Sequence, residues 1–179
     1  MPSEQPFALT HTIHSQRFAC RLCAVQGESI LKYQLWHPLH VTTGSTQEFL
    51  CEIELSEDSP AIQAVRFVAD VTSFDSGNSD RDARALELLE AQRYPEVSFQ
   101  SSSIDTFGDD LYVSGELCFH GVTKNISFCA KHNVMGSKLI VKGTADVSLT
   151  QFQVERPSLL MIRVSDALKI SFTMTFVLP

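Results

Sequence analysis

Apolar and polar residues alternate along most of the second half of the chain. In Leu168–Phe176 every second residue is apolar, and the residues between them are Lys, Ser or Thr. The same alternation runs through Leu111–His120, Ile126–Lys131 and Leu139–Leu149. A period of two places the apolar side chains on one face of a strand, which is typical of an antiparallel sheet with one covered face.

Shorter runs of the same kind predict strands in the earlier part of the chain. These strands are expected at Phe18–Val25, Ile30–Trp36, Phe49–Leu55, Val65–Val71 and Val97–Ser102. Turn-forming residues separate the strands, as at Ser56–Pro60, Phe107–Asp110 and Asn133–Gly136. Gly115 lies at an apolar position of its run, and a glycine there predicts a bend or bulge in a curved sheet.

One segment rich in Ala, Leu and Glu breaks the alternation and predicts a helix over about residues 80–92. Ser79 is the expected N-cap, and Asp82 follows three residues later, close to a capping box. Pro95 is expected to end the helix.

About eight strands with one apolar face cannot remain a flat open sheet. They must either pack as a sandwich or close into a barrel. A single inserted helix is compatible with a barrel that is partly plugged at one end. A barrel of eight strands either fills its interior with side chains or holds one small ligand. We therefore predict an all-β, antiparallel fold of about eight strands with one α-helix.

Composition narrows the function. A chain of 179 residues fits one domain. Its formal charge of −7 gives no general attraction for phosphate backbones, so no nucleic-acid partner is expected. Twelve Phe against three Tyr and one Trp make the aromatic surface almost wholly apolar.

The same composition bears on location and on the cysteines. No segment is typical of a secretory signal or of a membrane span, so we expect a cytoplasmic protein without stable membrane insertion. An odd number of cysteines is not a disulfide framework. The five cysteines are Cys20, Cys23, Cys51, Cys118 and Cys129.

Three ordered segments carry a family resemblance: Thr72–Asp82 with its Gly-Asn turn and Arg-Asp pair, Tyr94–Ser101, and Gly115–Lys124 with its Gly-Val-Thr-Lys hairpin. In order and spacing they resemble the YceI-like family of polyisoprenoid-binding, lipocalin-like proteins. Tyr33–His40 resembles the His-containing second strand of some members. The resemblance predicts a YceI-like lipocalin-fold domain over residues 20–179 and leaves residues 1–19 as an extension of unknown role.

The resemblance implies a lipocalin-like barrel with a tunnel for a long apolar chain, frequent homodimers and no established catalysis. The expected function is non-catalytic binding, transport or sequestration of a polyisoprenoid, quinone or fatty-acid-like lipid, without a cofactor. The alternative is a core filled by the same side chains. The candidate tunnel wall comprises Val65, Phe67, Ala69, Val97, Phe99, Val113, Leu117, Phe119, Phe128, Phe172, Met174 and Phe176.

Two polar groups accompany the predicted tunnel. His120 and Lys124 are candidates for binding a diphosphate head at the tunnel mouth, or they belong to a solvated hairpin. Asn78, Arg81 and Asp82 are interpreted as a structural motif that forms a turn and caps the helix, with Arg81 paired to a neighbouring carboxylate.

Other function classes stay open as alternatives. His11–His14, Cys20–Cys23 and His37–His40 each have the spacing of zinc ligands, so a small metal-dependent binding protein is one alternative. Cys20 and Cys23 are expected on a strand, where residues three apart point to opposite faces, and no metal site is predicted. An enzyme acting on a bound hydrophobic molecule is the other alternative, with His37 and His40 as acid and base groups.

Overall fold

The structure is a computed structural model that describes residues 18–56 and 61–179. Twelve strands and one α-helix lie within these two ranges. The strands are β1 Phe18–Cys23, β2 Ile30–His37, β3 His40–Thr46, β4 Phe49–Ser56, β5 Ile62–Asp70, β6 Glu96–Phe107, β7 Asp110–Phe119, β8 Val122–Met135, β9 Lys138–Ser148, β10 Ser158–Leu159, β11 Ile162–Arg163 and β12 Ala167–Val177. The helix, α1, spans Ser79–Leu88, and a single 3₁₀ turn precedes it at Val71–Ser73.

Ten of the strands form one antiparallel sheet in the order β1-β4-β5-β6-β7-β8-β9-β12-β2-β3. The sheet curls on itself into a half-barrel. After β1 the chain crosses between its two sides, because Ala24 N–H donates to the Cys51 carbonyl of β4 and Val25 N–H donates to the Thr175 carbonyl of β12, both at 2.8 Å. The predicted all-β, lipocalin-like class is confirmed.

The number of strands was underestimated. Strand β3 was not predicted, because His40–Thr46 is mostly Thr, Ser and Gly and lacks apolar alternation. It is the last strand of the sheet, and β2 is its neighbouring strand. The hairpin β10–β11 was also missed, because each of its strands has only two residues.

The alternation predicts the covered face of the sheet well. In β7, Leu111, Val113, Leu117 and Phe119 are buried. Gly115 lies between them, and the register of the neighbouring strand β6 shifts between Ser101 and Ser103, directly opposite. A side chain at Gly115 would lie 2.3 Å from the Gln100 carbonyl oxygen, so the predicted bulge is present and requires glycine.

The helix begins and ends differently from the prediction. Asn78, not Ser79, is the N-cap, and its side chain accepts a hydrogen bond from the Arg81 N–H at 2.9 Å. The Asp82 carboxylate is not used in a capping box, because it accepts the Ser76 N–H of the preceding loop. The helix ends at Leu88, well before Pro95, and turns occupy the residues between. Within the described ranges no helix is long and apolar enough to span a bilayer.

Candidate ligand-binding cavity

The curled sheet encloses a cavity of about 550 Å³. Its wall is formed mainly by the inward side chains of β2, β4 to β9 and β12. Small-molecule sites commonly measure about 300–1,000 Å³ and are lined mainly by apolar side chains. The interior of this half-barrel is therefore not completely filled by side chains. The alternative of a filled core required a completely filled interior.

The predicted wall residues can be compared with the observed lining. Eleven of the twelve lie on the cavity: Val65, Phe67, Val97, Phe99, Val113, Leu117, Phe119, Phe128, Phe172, Met174 and Phe176. Ala69 does not, although it is only 2% exposed. Its partners on the flanking strands are Phe49 and Val97, and its methyl group is too short to reach the cavity beside such larger side chains. Whether the eleven contact a ligand stays a prediction.

Aromatic rings form a continuous row across the wall. The ring of Phe128 on β8 lies 5.4 Å from that of Phe99 on β6 and 5.7 Å from that of Phe172 on β12, measured between centroids. The rings are tilted or edge-on, which is the favoured geometry for aromatic pairs. Such a row gives a wide apolar surface without a polar atom that needs a partner, so it suits a hydrocarbon chain.

Helix α1 lies at the polar part of the lining. Arg81, Asp82 and Arg84 line the cavity there, together with Glu155 and Ser158 from the connection between β9 and β12. Asn78 and Asp82 make the local hydrogen bonds that hold the helix start. The expected ion pair of Arg81 is not formed, since no carboxylate within the described ranges lies within 4.0 Å of its side chain.

His37 and His40 line the same cavity and their ring centroids are 5.3 Å apart. His37 is buried, and both of its ring nitrogens are occupied by backbone. Its Nδ1 accepts from the Leu39 N–H at 3.2 Å, and its Nε2 therefore donates to the Ile162 carbonyl at 3.0 Å. These bonds tie the β2–β3 turn to the β10–β11 hairpin and leave His37 no free nitrogen for acid, base or metal chemistry.

The cysteines are free thiols in different environments. Burial raises the pKa of the Cys51 thiol to about 12, so this cavity-lining group stays neutral at pH 7. Cys20 and Cys23 lie on strand β1, as predicted. No group of three potential metal ligands occurs in the part of the chain that the structure describes, and His11 and His14 lie outside it.

A second, more polar pocket adjoins the cavity at the end of α1. It is lined by Arg84, Glu87, Leu88, Glu90, His120, Gln153 and Glu155, and three of these residues, Arg84, Leu88 and Glu155, line the large cavity as well. Lys124 is exposed and lines neither space. The three glutamates and Gln153 could not be found from sequence, because nothing in their local pattern distinguishes them from solvent-facing residues.

Residues of the recognised motifs meet beside this pocket. The ring of Tyr94 packs edge-on against the ring of His120, with centroids 4.9 Å apart. Gly121 has φ +70°, and a Cβ there would lie 2.3 Å from the Tyr94 ring. The Tyr-Pro segment and the start of the Gly-Val-Thr-Lys hairpin therefore pack against each other.

A curled antiparallel sheet around an apolar cavity, with one helix beside an end, defines the lipocalin-like class of fold. The model of the YceI-like domain matches residues 27–176, and the chain belongs to the YceI-like family. This confirms the resemblance found in the sequence. The boundary predicted at residue 20 stays a prediction.

Curated relatives agree with this membership, and solved structures share the fold. Protein YceI of Escherichia coli is 33% identical over 90 residues, which are 49% of this chain and 47% of that protein. The matched stretch thus spans about half the length of the curated relatives. Burkholderia cenocepacia BcnA superposes with a TM-score of 0.77 at 20% identity, over 85% of this chain and 98% of its own. A polyisoprenoid binding domain from Saccharophagus degradans superposes with a TM-score of 0.67 at 16% identity, over 91% and 100%.

Proposed function

We propose that this protein binds one long apolar chain in the cavity and carries or sequesters it without changing it chemically. The observation that carries the proposal is the apolar cavity of about 550 Å³ inside the half-barrel. Polyisoprenoids, quinones and fatty-acid-like lipids are the ligand classes that its apolar lining suits. The similarity of fold to a polyisoprenoid binding domain supports the first of them.

Burial of hydrocarbon is sufficient to provide the affinity. Large ligands gain about 0.3 kcal/mol per non-hydrogen atom, so a chain of 20 carbons gains about 6 kcal/mol. That corresponds to a Kd of tens of micromolar, and each further five-carbon unit tightens binding by about tenfold. No ionic contact to the head is needed. The length and width of the cavity then select among ligand chains.

The occupied nitrogens of His37 support binding over catalysis. A general acid or base needs a ring nitrogen that can reach the substrate, and both nitrogens of His37 are bonded to backbone. His40 is exposed, and within residues 18–56 and 61–179 no carboxylate oxygen lies within 4.0 Å of its ring nitrogens. We therefore place the protein among binding proteins. A cytoplasmic location, a homodimer and the absence of nucleic-acid partners or stable membrane insertion stay predictions from the sequence.

Organic extraction of the protein purified under native conditions, followed by mass spectrometry, tests the proposal. We expect close to one long-chain lipid per chain. Elemental analysis of the same sample checks the metal-dependent alternative. A protein that carries no lipid and takes up none from an added mixture of prenols, quinones and fatty acids would contradict the proposal.

A further inference from the structure

The polar pocket beside α1 contains a buried nitrogen without a partner. The His120 side chain is 7% exposed, and its Nε2 is fully buried with no hydrogen-bond partner within the described ranges. The nearest carboxylate oxygen, Glu90 Oε1, lies 3.6 Å from Nε2, too far for a good hydrogen bond. Buried polar atoms are nearly always hydrogen-bonded, so an unpaired one in a pocket indicates a missing partner.

The other nitrogen of His120 determines what that partner must be. His120 Nδ1 lies 3.1 Å from the carbonyl oxygen of Phe152. A carbonyl only accepts hydrogen bonds, so Nδ1 carries the hydrogen and donates. In a neutral imidazole Nε2 is then a lone-pair acceptor. A hydrogen-bond donor therefore completes the site when the imidazole is neutral.

The rest of the pocket favours the same kind of partner. Glu87, Glu90 and Glu155 line the pocket together with one cation, Arg84, so acceptors and negative charge predominate. An anionic head placed here would be repelled by the carboxylates. Lys124, which the sequence suggested as a cationic partner for a diphosphate, does not line the pocket.

Building on the cavity function proposed above, we propose that this pocket is a subsite for an uncharged hydroxyl head, an alcohol or phenol, at the end of the bound apolar chain. The hydroxyl donates to His120 Nε2 after the half-exposed Glu90 side chain moves aside. The chain itself lies in the large cavity, which shares Arg84, Leu88 and Glu155 with the pocket. The same site discriminates against phosphate and carboxylate heads.

Three probes with the same number of carbons separate the head from the chain: geranylgeraniol, geranylgeranyl monophosphate and the C20 hydrocarbon phytane. Each competes with a fluorescent fatty acid for the purified protein. We expect the alcohol to bind about five-fold tighter than the hydrocarbon, the value of one hydrogen bond. We expect the monophosphate to bind more weakly than the alcohol.

The variant His120→Asn removes Nε2 with little other change. Asn tolerates the left-handed backbone of this residue, whose φ is +51°. Its amide nitrogen can replace Nδ1 in the bond to Phe152. We expect alcohol affinity to fall about five-fold, to the level of the hydrocarbon. The matched control His132→Asn alters a histidine that lines neither space, and it should leave all three affinities unchanged.

A second variant covers the case in which His120→Asn does not fold. Glu87→Gln removes a carboxylate that lines the pocket but not the large cavity, and we expect it to raise monophosphate affinity relative to alcohol affinity. The subsite is overturned if wild-type protein binds alcohol and monophosphate equally, or if neither variant changes the ranking of heads. Failure of all three probes to bind would instead refute the cavity function itself.

Discussion

Narrowing the cavity from its wall is the sharpest perturbation that the structure offers. Ala145 on β9 lines the cavity beside its cross-strand partner Ile170. The variant Ala145→Phe adds an aromatic ring that points into the space where the ligand chain is expected. Ala69, which the sequence placed on the wall, would be a poor choice, because it is buried outside the cavity and a larger side chain there would disturb packing.

The size of the effect follows from the atoms displaced. The ring of Phe occupies the room of about six ligand carbons. At about 0.3 kcal/mol per atom, excluding six carbons from the cavity costs about 1.8 kcal/mol of binding, or about 20-fold in Kd. A ligand shorter than the remaining space loses less, so the penalty should grow with chain length.

Competition binding with saturated alcohols of 10, 16 and 20 carbons measures this dependence. The control is Ala167→Phe on β12, which adds the same ring at an exposed position that does not line the cavity. We expect a loss of about 20-fold for the longest probe in Ala145→Phe and none in the control. Equal affinity of a folded Ala145→Phe protein for the longest probe would refute the placement of the chain.

Three further predictions concern stability. Asp82→Ala removes the acceptor of the Ser76 N–H. It should lower the free energy of unfolding by about 1–2 kcal/mol, seen as a Tm loss of about 3–6 °C, and should change ligand affinity less. A larger effect on ligand affinity than on stability would count against the structural role of Asp82. Gly121→Ala forces a side chain against Tyr94. In urea melts it should lower the free energy of unfolding more than Gly136→Ala, because Gly136 has a similar positive φ but a Cβ there has no neighbour within 4 Å. Equal losses of unfolding free energy would show that the contact with Tyr94 does not matter. Hydrogen bonds from Ser148 and Thr150 lower the pKa of Asp166 below 3.8, so the ionised carboxylate stabilises the fold fully above that value and this stabilisation is lost as pH falls through the folded-state pKa. Asp166→Asn should therefore flatten the loss of unfolding free energy between about pH 5 and pH 2. An unchanged slope would be the contrary result.

Strands could be predicted from the sequence where apolar and polar residues alternate. They could not be predicted where this alternation is missing. Runs such as Leu168–Phe176 identify strands because each inward residue is apolar and each outward residue is polar. Strand β3 has no such signal, since its residues are mostly Thr, Ser and Gly, and backbone hydrogen bonds hold it to β2 and to Asp75. The alternation also makes the cavity-wall residues on regular strands predictable, because these residues occupy its apolar positions.

The polar pocket illustrates the other limit. His120 was identified as a candidate from its motif, but its function depends on which nitrogen is free. That depends on the Phe152 carbonyl, 32 residues away. Glu90 and Glu155 reach the same pocket from different segments. Such convergence of distant residues is a property of the folded chain and has no local sequence pattern.

Photocrosslinking with a C20 alcohol that carries a diazirine near the middle of its chain tests the central claim most directly. A ligand inside the half-barrel should label the aromatic row, in peptides that contain Phe99, Phe128 or Phe172, and excess geranylgeraniol should abolish the labelling. Labelling confined to exposed apolar residues such as Leu160 and Met161, and insensitive to the competitor, would contradict a chain-binding cavity.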